Sequence, residues 1–165
     1  MNNRILFFGE LPAESIHGIS IANSINIEML ESKYFVDKIV EHNKFNFHDR
    51  FSVRKVFVSI LDFVKIASLG IKRRYKYFYL VFSLSSFGCL KTLLAIIVYK
   101  IFSRGEVILH IHRGDFFLRF YKGIFNIIFA KIIFKLSDKV IVLSDSQVIE
   151  FEKIFKRKFV SLPNT

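Results

Sequence analysis

The chain is poor in the residues that interrupt or staple a fold. Two prolines and seven glycines in 165 residues leave little room for long linkers. A single cysteine, Cys89, excludes an internal disulfide framework and any cysteine-built zinc cluster. Set in an apolar run, it reads as a buried, inert thiol. Acidic residues are scarce as well: 14 stand against 25 lysines and arginines, a formal charge of +11. That surplus points to an anionic partner, whether nucleic acid, a membrane surface or a phosphorylated substrate. Long apolar runs are missing too. TLLAIIVY and GIFNIIFA are bounded by Lys91, Lys100, Lys122 and Lys131, well short of the ~20 residues a bilayer span needs. The N-terminal MNNRILFFGELPAES turns acidic after a short apolar run and does not read as a secretory signal. These features predict a cytoplasmic protein, soluble or peripheral at the inner face of a membrane.

Signatures of several chemistries are also lacking. No G-x-G-x-x-G follows the first apolar run and no Walker sequence occurs, which disfavours NAD and P-loop ATP binding. There is no nucleophile elbow with a Ser–His–Asp order and no helical pair of metal-binding histidines. What is present is a core: 52% of residues are hydrophobic and 21 are phenylalanine, enough for one folded domain over 1–165.

Strand and helix patterns alternate along the chain. Strands are expected at 4–11 (RILFFGEL), 35–42, 75–84, 106–112 (EVILHIH), 139–145 (KVIVLSD) and 159–163. Helices are expected at 17–32, 51–68, 86–103, 116–136 and 146–156, with a flexible loop around 43–50. Ile21, Ala22, Ile25 and Met29 recur at helical spacing in the first helix. In the second, Val53, Phe57, Ile60, Leu61 and Val64 form one stripe and Ser52, Lys55, Ser59 and Asp62 the opposite one, the pattern of an amphipathic helix. Six apolar strands separated by helices predict parallel βαβ units with right-handed crossovers, that is, a doubly wound, Rossmann-like sheet with helices on both faces.

Ligands of such sheets bind at the carboxyl ends of the strands. There the sequence gathers GELPAESIHGIS, SLSSFG, HRGDF and LSDS, each just before a helix start, where free N–H groups suit phosphate or carboxylate. Gly18 and Gly88 would let a ligand approach the backbone closely. Alternation puts His110 and His112 on one side of their strand, with His112 nearer the rim. Ser85, Ser86, Asp115 and Ser144 to Ser146 equally suit helix caps, and His17 a solvated loop.

The segments RILFFGELPAESIHGISIANS, LHIHRGDF, LSDKVIVLSDSQVIEF and the closing VSLPNT, taken in this order, resemble the N-terminal domain of GT-B glycosyltransferases, specifically the large retaining family 4. The sequence departs from that pattern in having one glycine, Gly18, in the first loop, and Arg113 before Gly114 where the family has H-x-H-G. It ends at Pro163–Asn164–Thr165 in place of Pro-Asn-Gly. The resemblance implies one half of a GT-B fold, the acceptor side. Its activity would be transfer of a sugar from a nucleotide diphosphate sugar to a glycan or lipid-linked acceptor in surface polysaccharide synthesis. It assigns His112 to the reacting centre. His17, Gly18, Ser85, Ser86, Arg113, Asp115 and Ser144 become substrate-binding candidates, with Gly18 letting the first helix approach the diphosphate. No metal or other cofactor is implied. The nucleotide-sugar-binding domain of the family is absent from these 165 residues, so the chain alone is expected to be inactive.

A membrane-linked acceptor fits the basic surplus, through IKRRYKY (71–77) and a face formed by Arg119, Lys122 and Asn126. A basic Rossmann-like module without catalysis, binding nucleic acid or a partner chain, is the alternative. No recognised nucleic-acid motif appears, and nucleic acid is not expected.

Overall fold

The computed structural model describes residues 3–12, 16, 18–41, 53–120 and 123–163. Its elements alternate: β1 (Arg4–Gly9), α1 (Gly18–Glu31), β2 (Phe35–Val40), α2 (Val53–Lys72), β3 (Tyr77–Val81) and α3 (Ser86–Phe102), then β4 (Glu106–His110), α4 (Phe116–Phe120), α5 (Ile124–Leu136), β5 (Lys139–Val142), α6 (Asp145–Phe155) and β6 (Val160–Ser161). The six strands form one all-parallel sheet in the order β2-β1-β3-β4-β5-β6. This is the expected doubly wound, Rossmann-like architecture. The chain steps from β1 outward to β2, then jumps back past β1 to β3, so the order reverses between β1 and β3.

Strand alternation divides the core in two. One face of the sheet turns Ile5, Phe7 and Tyr79 toward Ile27 of α1. The other turns Leu6, Phe8, Phe78, Leu80, Val107 and Leu109 toward helices α2 to α6. Phenylalanine fills the second half densely. Phe116 lies 4.6 Å from Phe151 and Phe134 lies 4.7 Å from Phe155, ring centre to ring centre.

Local chemistry sets the helix ends. Ser85 caps α3 by accepting from the Gly88 N–H at 3.0 Å, and Ser144 caps α6 by accepting from the Gln147 N–H at 3.3 Å. Lys156 ends α6 in the left-handed conformation (φ 52°). The helix expected over 116–136 is instead two, α4 and α5. Gly123 takes an extended conformation (φ −159°, ψ 134°) and caps α5, so helical hydrogen bonding cannot run through it. The expected loop at 43–50 lies outside the described residues.

Two helices pack on the core through a narrow face, with Ile66 of α2 and Ile27 of α1 in it, and leave the apolar stripe expected from their sequence outside. Along α2, Val53, Phe57, Ile60, Leu61 and Val64 are exposed, while Ser59 and Asp62 are buried. Along α1, Ile21, Ile25 and Met29 are exposed, and Ser20 and Asn23 are buried. The reason lies in small and polar contacts. Asn23 donates to the Glu10 carbonyl at 2.9 Å and ties α1 to the end of β1. Asp62 faces Lys91 of α3 at 3.5 Å, and Lys91 also reaches Glu41 at 2.7 Å. Gly70, also buried, lets α2 approach Phe102 at the end of α3.

Candidate functional site

β4 ends at His110, but the ladder continues one step: the Ile111 N–H donates to the Ile141 carbonyl at 2.9 Å. The chain therefore stays extended, and His112 falls on the same side as His110, as alternation predicts. The two imidazoles stack with centroids 3.7 Å apart and planes at 34°. Both are buried, His110 fully and His112 to within 6% exposure. His112 thus sits beneath the surface at the carboxyl edge of the sheet and not on an open rim.

A polar chain leads into this pair. Asn26 on α1 donates its amide to the Tyr79 hydroxyl at 3.4 Å, and that hydroxyl hydrogen-bonds Nδ1 of His110. With two lone pairs, the hydroxyl oxygen accepts from Asn26 and either donates to Nδ1 or accepts from it, so the bond fits both neutral tautomers of His110. Nε2 has no hydrogen-bond partner among the described residues. Burial, and secondarily the neighbouring His112, hold the His110 pKa down to about 3, so the ring is neutral at ordinary pH. Burial likewise raises the pKa of the Tyr79 hydroxyl. His110 is therefore a hydrogen-bonding group and a poor proton acceptor.

The next turn is held together by its own side chains. Arg113 grips Asp115 with two parallel hydrogen bonds, Nε to Oδ1 at 2.8 Å and Nη2 to Oδ2 at 2.9 Å. The Arg113 carbonyl accepts from Gln147 Nε2 at 2.9 Å, and Gln147 Oε1 accepts from the Leu143 N–H at 2.9 Å. Gln147 thereby joins the turn after β5 to the turn after β4.

The other candidates spread along the same edge. Ser86 donates to Asn126 of α5 at 3.1 Å. Ser85 and Ser144 are helix caps, and Ser144 also bonds the Ser146 hydroxyl at 2.9 Å. Gly18 opens α1, and among the described residues a side chain added there would meet nothing within 4 Å. Gly88 is different: a Cβ there would fall 2.1 Å from Ser83 Oγ, so packing, and not ligand approach, accounts for this glycine. His17 lies outside the described residues, as do Lys122 and the side chain of Arg119.

Within 71–77 Arg73, Tyr75 and Lys76 are bound to the fold, while Lys72 and Arg74 are exposed. Arg73 and Tyr75 hold Asp37, and Lys76 lies over the rings of Tyr34 and Tyr77. Tyr79, Asn26 and Gln147 carried no sequence signal beyond lying on strands or helices near the site. Asn26 and Gln147 stand at helical positions open to many roles, and Tyr79 is one aromatic among many.

Among the described residues no group of three or more His, Cys, Asp or Glu side chains could hold a metal ion. A hollow of about 660 Å³, lined in part by Lys131, Lys135, Asp138, Arg157 and Lys158, lies at the opposite, amino edge of the sheet and does not reach the histidines.

Fold and site together define a Rossmann-like α/β domain with a buried histidine pair at its carboxyl edge. No protein-family model and no curated protein matches the sequence. The likeness to GT-B glycosyltransferases therefore stands on the sequence motifs alone.

Proposed function

We propose that this domain is the acceptor-side half of a GT-B-like transferase. It would act with a nucleotide-sugar-binding domain to move a sugar from a nucleotide diphosphate sugar to a glycan or lipid-linked acceptor, with retention, in surface polysaccharide synthesis. The observation that carries the reading is the stacked pair His110 and His112 at the carboxyl edge, one strand from the point where the strand order reverses.

In this reading each group has a limited task. His110, neutral and fixed by Tyr79, holds the ring of His112 in place. His112 hydrogen-bonds a hydroxyl of the sugar or acceptor near the reacting carbon. The start of α1 at Gly18 admits a phosphate to the helix N-terminus. Transfer requires stabilisation of a departing diphosphate, which preorganised donors and positive charge supply. Ser86, Arg113 and Asp115 shape the acceptor side.

A second reading, a non-catalytic basic binding module, is favoured by one observation: Ser85, Ser144, Arg113 and Asp115 are engaged with groups of the chain itself. A membrane-plus-cytosol preparation from the native host decides between them. It is supplied with labelled nucleotide sugars, with the gene intact, deleted and restored. The transferase reading expects label in a lipid or polysaccharide fraction that vanishes on deletion and returns on restoration. Unchanged labelling in the deletion strain contradicts it.

A further inference from the structure

Helices α2, α3 and α5 pack side by side on one face of the sheet. Their outward sides are apolar. On α2, Phe57 is 61% exposed and Val64 60%, and the stripe continues across Leu94 and Ile97 of α3 to Ile128 and Ile132 of α5. Soluble monomers scatter exposed apolar residues singly, and a contiguous array across three neighbouring helices marks a contact surface.

Charge selects the partner. Asp62 is the sole acidic residue in these three helices, and it is buried. Arg54, Lys65 and Lys72 are exposed and recur at near-whole-turn spacing, so they line one flank of the α2 stripe. Lys131 and Lys135 are exposed beside the stripe of α5. The exposed stripe of α1 lacks this character, because Glu28 and Glu31 are exposed on that helix. An apolar stripe whose own three helices carry only basic exposed charge matches the acyl boundary and headgroups of an anionic bilayer. Among the described residues no helix is long and apolar enough to cross one.

We propose that the α2–α3–α5 face docks this domain flat onto an anionic lipid surface. The carboxyl edge of the sheet then opens along the bilayer plane, with the histidine pair on the α1 face, which it shares with Tyr79, turned from the lipid. The docking stands apart from the sugar-transfer reading, since it rests on the outer helix faces and involves no sugar chemistry.

The test is co-flotation of the full chain with vesicles of phosphatidylcholine alone and with about a third phosphatidylglycerol. Binding to the anionic vesicles is expected, with weak or no binding to the neutral ones. Replacing Lys65, Lys131 and Lys135 with Gln should weaken it by about fivefold per lysine at low salt. Phe57→Gln with Val64→Gln should weaken it at least ~10-fold, because two large apolar groups no longer leave water. Ile21→Gln with Met29→Gln, on α1, should leave it unchanged. Circular dichroism of each variant checks the fold. Equal binding to both vesicle types, or α1 variants as damaging as α2 variants, overturns the proposal. So does a dimer in sedimentation that Phe57→Gln dissolves while vesicles go unbound, because the face would then belong to a second copy.

Discussion

Nδ1 of His110 is hydrogen-bonded to the Tyr79 hydroxyl on the neighbouring strand, inside a sheet that seals the ring from water. Unfolding releases that ring, and its proton affinity changes. The unfolded chain takes up the proton near the ordinary value of 6.5, the folded chain only near about 3. Between those values the unfolded state binds more protons. Stability is therefore full above about pH 6.5 and is lost as pH falls toward 3, by up to ~1.4 kcal/mol per pH unit. Urea unfolding at pH 7, 5 and 4 measures the slope. His110→Gln should flatten it, and an unchanged slope in the variant would assign the acid sensitivity to other groups.

Lys91 supplies a second prediction. Its ammonium lies 2.7 Å from Glu41 and 3.5 Å from Asp62, with Asp62 almost wholly buried. Lys91→Met strands the Asp62 carboxylate and should cost about 3–5 kcal/mol in chemical denaturation. Adding Asp62→Leu should recover part of the loss, because the buried carboxylate leaves with the ammonium while half-buried Glu41 stays without its lysine. Additive losses in the double variant would mean that the pair does not interact.

The glycines of the carboxyl edge give opposite expectations. Gly88→Ala forces a methyl group against Ser83 and should destabilise by about 1–3 kcal/mol. Gly18→Ala meets none of the described residues and should leave stability within ~0.5 kcal/mol. Thermal melts of both variants check this. If Gly18→Ala keeps its stability but impairs the proposed sugar transfer, the glycine serves a ligand and not the fold.

The sequence was most legible where one local rule governs. Apolar runs of strand length gave all six strands, and the serines before α3 and α6 cap those helices in the structure. Helix orientation was not legible. The periodicity of α2 shows that it has two sides, but only its neighbours determine that Ser59 and Asp62 turn inward. The break at Gly123 was hidden because apolar residues continue on both sides of it. Alternation gave the shared side of His110 and His112. Their depth was not given, since it depends on what packs around the end of β4. Tyr79 and Asn26 meet only because α1 and β3 come together across 53 residues of sequence.

The central claim is that His112 serves sugar transfer from its place against His110. The deciding measurement is sugar transfer by the native protein, purified with any accompanying chain, for wild type, His112→Ala and His110→Ala, beside the melting temperature of each. His112→Ala is predicted to lose ~100-fold or more in turnover, by removing a transition-state hydrogen bond, and to lower the melting temperature as well, because the ring is buried against His110. His110→Ala is predicted to cost about 1–3 kcal/mol of stability, through the hydrogen bond to Tyr79 that it no longer makes. Full turnover in a folded His112→Ala protein would contradict the account and leave the stacked histidines as part of the core.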